Sequence, residues 1–115
     1  IEMGRVQFDT HFLLARAADK SDLIDVSTSH YKKAEELINK TIDATPDQAA
    51  GYYLRGHVYW GLGQLGAALD DMENAEKHMQ PGRRYYAYNE SFSSEDICAA
   101  KESLRSALTP PPPKG

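Results

Sequence analysis

Between Ala49 and Pro81 apolar residues return every three or four positions, in two runs divided by a pair of glycines. In the first run Tyr52, Gly56 and Tyr59 stack at helical spacing, and Tyr53, His57 and Trp60 form a second stripe rotated around the same cylinder. One helix therefore has two faces to satisfy. Gly61 and Gly63, flanking Leu62, are expected to end it, because glycine readily takes the left-handed conformation that terminates helices. The second run, Leu65, Ala68, Leu69, Met72, Ala75 and Met79, keeps the helical period until Pro81 closes it. The pattern predicts a helix-turn-helix hairpin. Small Gly56 and Ala68 fall where its helices cross, with Tyr59 and Met72 filling the space beside them.

Upstream, Arg5 to Asp19 reads as a helix with Phe8, Phe12, Leu13 and Ala15/Ala18 on one face and Asp9, Arg16 and Asp19 on the other. Either Ser21 or Asp22 is placed to cap a second helix, whose apolar series Leu23, Val26, His30/Tyr31, Ala34, Leu37/Ile38 and Thr41/Ile42 runs on to Pro46. Ser27-Thr28-Ser29 interrupts it with hydroxyls that compete for backbone hydrogen bonds, so a start at Ser29 is the other reading. Downstream, GRRYYAYNESFS is too rich in tyrosine for a disordered linker and too irregular for a helix, and is expected to pack back on the helices. Ser93 or Ser94 with Glu95 and Asp96 then starts a final helix, on which Ile97, Ala100, Leu104 and Ala107/Leu108 make a one-sided stripe. The closing PPPPKG reads as a disordered polyproline end, with an SH3-type ligand as the minor alternative.

The hairpin resembles a tetratricopeptide repeat, a unit of ~34 residues made of two helices. Tyr52, Gly56, Tyr59, Ala68, Met72, Ala75 and Pro81 stand at the positions of its pattern, and the turn glycine is Gly63. Arg55 replaces the usual leucine, Met72 replaces an aromatic, and the proline comes one residue late. Moving back by one repeat puts Ala34 under Ala68, Ile38 under Met72 and Thr41 under Ala75. The first helix of that upstream repeat is out of step, since Asp22 and Asp25 would fall under Gly56 and Tyr59. A shift of about two helical turns brings Ala15 and Ala18 there instead, which implies a lengthened connection or an extended helix.

The fold class expected is thus all-α: helix hairpins in a short right-handed stack with a C-terminal capping helix. One domain spans residues 1–108, with a degenerate repeat at about 5–46, a clear one at about 49–81, a tyrosine-rich connection at 82–93 and the capping helix at about 94–108. The proline-rich tail is 109–115. A cap is needed because the last repeat of a stack leaves an apolar face.

At 115 residues the chain is large enough to bury a core without staples. A net charge of -4 with a pI of about 5.5 offers no electrostatic footprint for nucleic acid or an anionic membrane. No stretch has the roughly 20 apolar residues of a membrane helix. One cysteine, Cys98, excludes an internal disulfide and a multi-thiolate metal site, and suits a reducing compartment such as the cytoplasm. The sequence starts at Ile1 without a methionine, which leaves room for a leader or further repeats before it.

The resemblance implies a concave groove that takes extended peptides, with Tyr53, His57 and Trp60 on its floor together with Ala50. Aromatic side chains are the common currency of binding hot spots, through rigid contact area and a polar tip. The competing reading packs this stripe against Tyr85-Tyr86-Ala87-Tyr88 or the final helix, which makes it core. Phe12 and Arg16 face the same groove if Ala15 is the packing alanine; otherwise Arg16 is an ordinary solvated helix charge.

Asp70, Asp71, Asn74 and His78 are the nearest approach to a metal cluster, and a solvated helix surface explains them better. Cys98, among Ile97 and Ala99-Ala100, is expected at or beside the buried stripe and inert. Arg83-Arg84 before three tyrosines is too little for single-stranded nucleic acid. With no GxSxG and no phosphate loop, the expectation is no enzyme and no cofactor. The partner expected is a protein or peptide, with self-association into a homodimer as the alternative. Family members that grip chaperone tails use an asparagine one residue after Tyr53. Leu54 stands there, so no such binding is expected.

Overall fold

The hairpin read from the central stretch is present: α3 (Ala49–Gly61) and α4 (Leu65–Lys77) pack against one another across a three-residue turn. Gly63 takes φ 78°, the left-handed conformation that turns the chain. At the crossing, a Cβ on Gly56 would meet Met72 Cε at 2.8 Å and the Ala68 carbonyl oxygen at 3.4 Å, so the missing side chain is what lets the helices close. Gly61 is the last residue of α3, as expected, although the left-handed conformation is taken by Gly63 and not by Gly61. A Cβ on Gly61 would fall into the ring of Tyr31 from the preceding helix, so its missing side chain also admits a neighbour.

A computed structural model describes residues 2–87 and 90–108. Before the central hairpin, α1 (Glu2–Lys20) and α2 (Ile24–Ala44) form another packed pair. Their connection is short, and Asp22 turns it at φ 59°. Both helices of this pair are longer than those of the central one, at 19 and 21 residues against 13 and 13. Neither Ser21 nor Asp22 caps α2. Its N-cap is Leu23, without a side-chain hydrogen bond, and Ser27-Thr28-Ser29 is helical, with the Ser27 hydroxyl donating to the Ile24 carbonyl at 3.0 Å. Packing outweighs the local preference of those hydroxyls, since Tyr31, Ala34, Ile38 and Ile42 are buried along the same helix.

The tyrosine-rich connection folds into a short antiparallel hairpin of β1 (Tyr85–Ala87) and β2 (Glu90–Phe92), paired Tyr85 with Phe92 and Ala87 with Glu90. Tyr88 and the proline-rich tail lie outside the described residues. An isolated two-stranded hairpin is marginal in water, so its support is the burial of Ala87 and Phe92 against the helices. α5 (Ser94–Leu108) follows at once. The Ser93 backbone N–H and hydroxyl both donate to Asp96 Oδ2, at 2.8 and 3.3 Å, so the Asp96 carboxylate reaches back over the start of α5. Ile97, Ala100 and Leu104 are buried, whereas Ala107 and Leu108 are exposed, so the expected stripe stops a turn early. α5 covers α4, and Lys101 Nζ reaches Glu76 at 2.8 Å between them. The architecture is an all-α stack of helix hairpins with this one small β-hairpin inserted.

Candidate functional site

The second stripe of α3 builds a ladder of rings. Tyr53 meets His57 edge-on, with centroids 4.7 Å apart, and His57 lies nearly parallel to Trp60 at 5.9 Å. On its other side Tyr53 lies flat against Phe92 of β2, with centroids 4.0 Å apart and ring planes within 2°. Phe92 stacks in turn on Tyr85 at 5.9 Å, and the Arg83 guanidinium covers Tyr85 at 5.5 Å. Five aromatic side chains thus run from the turn end of α3 into the β-hairpin.

The two readings of this stripe divide along its length. Tyr53 is 9% exposed and Phe92 fully buried, so at this end the stripe is core, closed by the chain's own hairpin. Tyr53 offers no open groove floor. Ala50 and Trp60 are half-buried and packed against the core, and His57, also half-buried, touches it through the Tyr53 ring. The Phe12 expectation is also corrected: it is 5% exposed, stacked on Phe8 at 5.4 Å and edge-on to Tyr31 at 6.2 Å, which makes it core of the α1–α2 pair. Arg16 is half-buried and lays its guanidinium 4.3 Å over the Phe12 ring. Ala15 is the packing alanine, fully buried.

Sequence reasoning missed a polar network between α2, α3 and α4. Arg55 Nε and Nη2 donate to the two carboxylate oxygens of Asp71 at 2.8 and 2.9 Å, and Nη1 donates to Asn39 Oδ1 at 2.9 Å. Tyr52 and Tyr59 hold the guanidinium between them, each ring centre 5.8 Å away. The Asp71 hydrogen bond pushes the Arg55 pKa above its ordinary value against the opposing effect of burial. Tyr59 is pushed up as well, by burial first and then by its hydrogen bond to Glu35. The available signal was Arg55 itself, a charge where the repeat pattern places leucine, with Asp71 on the facing helix. A forked guanidinium meeting a carboxylate in two parallel bonds fixes the angle between helices as apolar contact does not.

The acidic set on α4 comes apart. Asp70 is exposed, Asp71 is 2% exposed and turned to Arg55, and His78 stacks on Tyr52 at 5.5 Å. Among the described residues no three His, Cys, Asp or Glu side chains are placed to share an ion. Of the two positions expected for Cys98, at or beside the buried stripe, it takes the second and is exposed there, just off the Ile97 line of α5. Arg84 donates to Ser91 Oγ at 3.1 Å across the hairpin. No helix among the described residues is long and apolar enough to cross a membrane. What the α3 face can do chemically is offer flat apolar contact with polar tips. No family model, no curated protein and no solved structure matches this chain, and the site is therefore read from its own geometry.

Proposed function

We propose that this chain is a protein-interaction module, a short stack of tetratricopeptide-like hairpins with a capping helix, that holds a peptide segment or partner helix against the His57–Trp60 end of the aromatic ladder. The observation that carries this is the half-buried His57–Trp60 stack, whose rear is seated on core while its front meets solvent. Rings held in place by Tyr53 and Phe92 lose little freedom when a partner arrives, and such preorganisation is what makes aromatic anchors effective. The mechanism is binding, with no reaction and no cofactor. Leu54 is 3% exposed, which supports the expectation that chaperone-tail peptides are not gripped here.

The test is capture from native lysate by wild type beside Trp60→Ala, followed by titration of the captured partner. Truncating Trp60 is expected to weaken binding by about 2 kcal/mol. Because the indole is half-buried, the accompanying loss of stability should stay below the roughly 3–5 kcal/mol of a fully buried tryptophan. Equal capture by both proteins would remove the His57–Trp60 face from consideration.

Self-association is a second reading with its own observation. Leu13, Leu14, Leu23, Ile24 and Val26 of the first hairpin are between 46% and 69% exposed, so five large apolar side chains of this pair meet water. Light scattering distinguishes a dimer formed there from a monomer with a free α3 face.

A further inference from the structure

Where α1 and α2 lie side by side, two histidines face each other. His11 Nδ1 and His30 Nδ1 are 2.9 Å apart, and the rings are tilted by 34° with centroids 5.1 Å apart. At this separation one nitrogen carries the proton and donates it, while the other accepts through its lone pair, so the accepting ring has to be neutral. Protonating both rings sets N–H against N–H and brings two cations into contact. The groups acting on His11 from α2 are His30 and Lys33, both basic; α3, which α1 meets only marginally, adds none to that set. Burial first, and then those two neighbours, lower the His11 pKa below its ordinary 6.5.

α1 depends on this seam, because its packing is almost entirely against α2. We infer that the His11–His30 pair is a protonation-sensitive clasp, which holds α1 on α2 at neutral pH and lets α1 loosen in mildly acidic solution while the α3–α4–α5 part stays folded. Loosening uncovers the face of Phe8, Phe12 and Ala15. The direction follows from linkage: a histidine whose folded-state pKa is depressed contributes stability above its unfolded value of 6.5, and that contribution is lost as pH falls from there through the folded value. This clasp is independent of what binds the α3 face.

The test is amide hydrogen exchange at about pH 7.5 and about pH 5, bracketing imidazole titration and corrected for intrinsic exchange. Protection of α1 is expected to fall several-fold at the lower pH with α4 and α5 unchanged. In His11→Gln and in His30→Gln, which keep a polar side chain without a titrating one, that fall should disappear. An imidazole titration of the wild type by NMR serves if a variant folds poorly, and should show the two rings titrating apart, one below the ordinary histidine value. Unchanged α1 protection, a fall shared equally by every helix, a fall that persists in the variants, or two rings titrating together would overturn the clasp.

Discussion

At the scale of single residues, glycines with the same letter have different work. Gly61 has the Tyr31 ring where its Cβ would be, whereas Gly66 on α4 has nothing within 4 Å. Gly61→Ala is expected to cost about 1–3 kcal/mol, because the ring has to move out of a packed seam. Gly66→Ala should instead stabilise by about 0.5 kcal/mol through helix propensity. Urea midpoints of the two variants, taken side by side, check both signs. Tyr31 also sets a limit at high pH. Its hydroxyl donates to Asp19 Oδ2 at 2.9 Å, and burial followed by that hydrogen bond raises its pKa from 10.0 to about 12. The folded state thus keeps a proton the unfolded chain gives up, so stability is full below pH 10.0 and falls as pH rises toward 12. Melting temperatures across that window should drop for wild type, and the part due to this phenol should be missing in Tyr31→Phe.

At the scale of elements, the β-hairpin decides how the α3 face can be used. Its strands are three residues each, and the side chains that matter are Phe92 and Tyr85, which extend the ring ladder of α3. Phe92→Ala should destabilise by about 3–5 kcal/mol, since a fully buried ring leaves a cavity that Tyr53 alone does not fill. Near-ultraviolet circular dichroism of the variant should lose ellipticity from the ladder, while α-helical signal is retained below the melting point. A variant as stable as wild type would mean that the hairpin rests on the helices without holding them. The strand signal in the sequence was the pair Tyr85 and Tyr86, a residue type that favours strands, and the alternation of inward and outward side chains is confined to Tyr85, Tyr86 and Ala87. Three residues are too short a run for that alternation to stand out from an irregular connection.

At the scale of the molecule, the chain is a drawn-out stack. Its radius of gyration is 14.6 Å and its extents are 55 × 38 × 20 Å. A compact chain of this length is expected near ~13 Å. Stacks of this kind expose the flanks of their terminal hairpins, and Leu13 is 60% and Ile24 69% exposed on the first one. If that flank joins two copies, Leu13→Glu should shift the mass measured by light scattering from dimer to monomer. The substitution should leave the unfolding free energy of the monomer within about 0.5 kcal/mol of wild type, because an exposed side chain makes few internal contacts. A mass that does not change between the two proteins would place any association elsewhere.

The helices were legible from the sequence because their signal is local: Phe8, Phe12 and Ala15 on α1, or Ala68, Met72 and Ala75 on α4, recur at the helical period whatever they pack against. So were the turn at Gly63 and the crossing of Gly56 with Ala68, which depend on neighbours within one hairpin. The same periodicity places Tyr53 and Trp60 on one stripe, yet it is silent on what covers them. That was settled by Phe92, which arrives after another helix and a turn and lies flat on Tyr53. The Arg55–Asp71–Asn39 network and the His11–His30 contact belong to the same class. Each is a meeting of side chains from different elements, and its distance is set by how the helices pack rather than by the spacing of residues along any one of them.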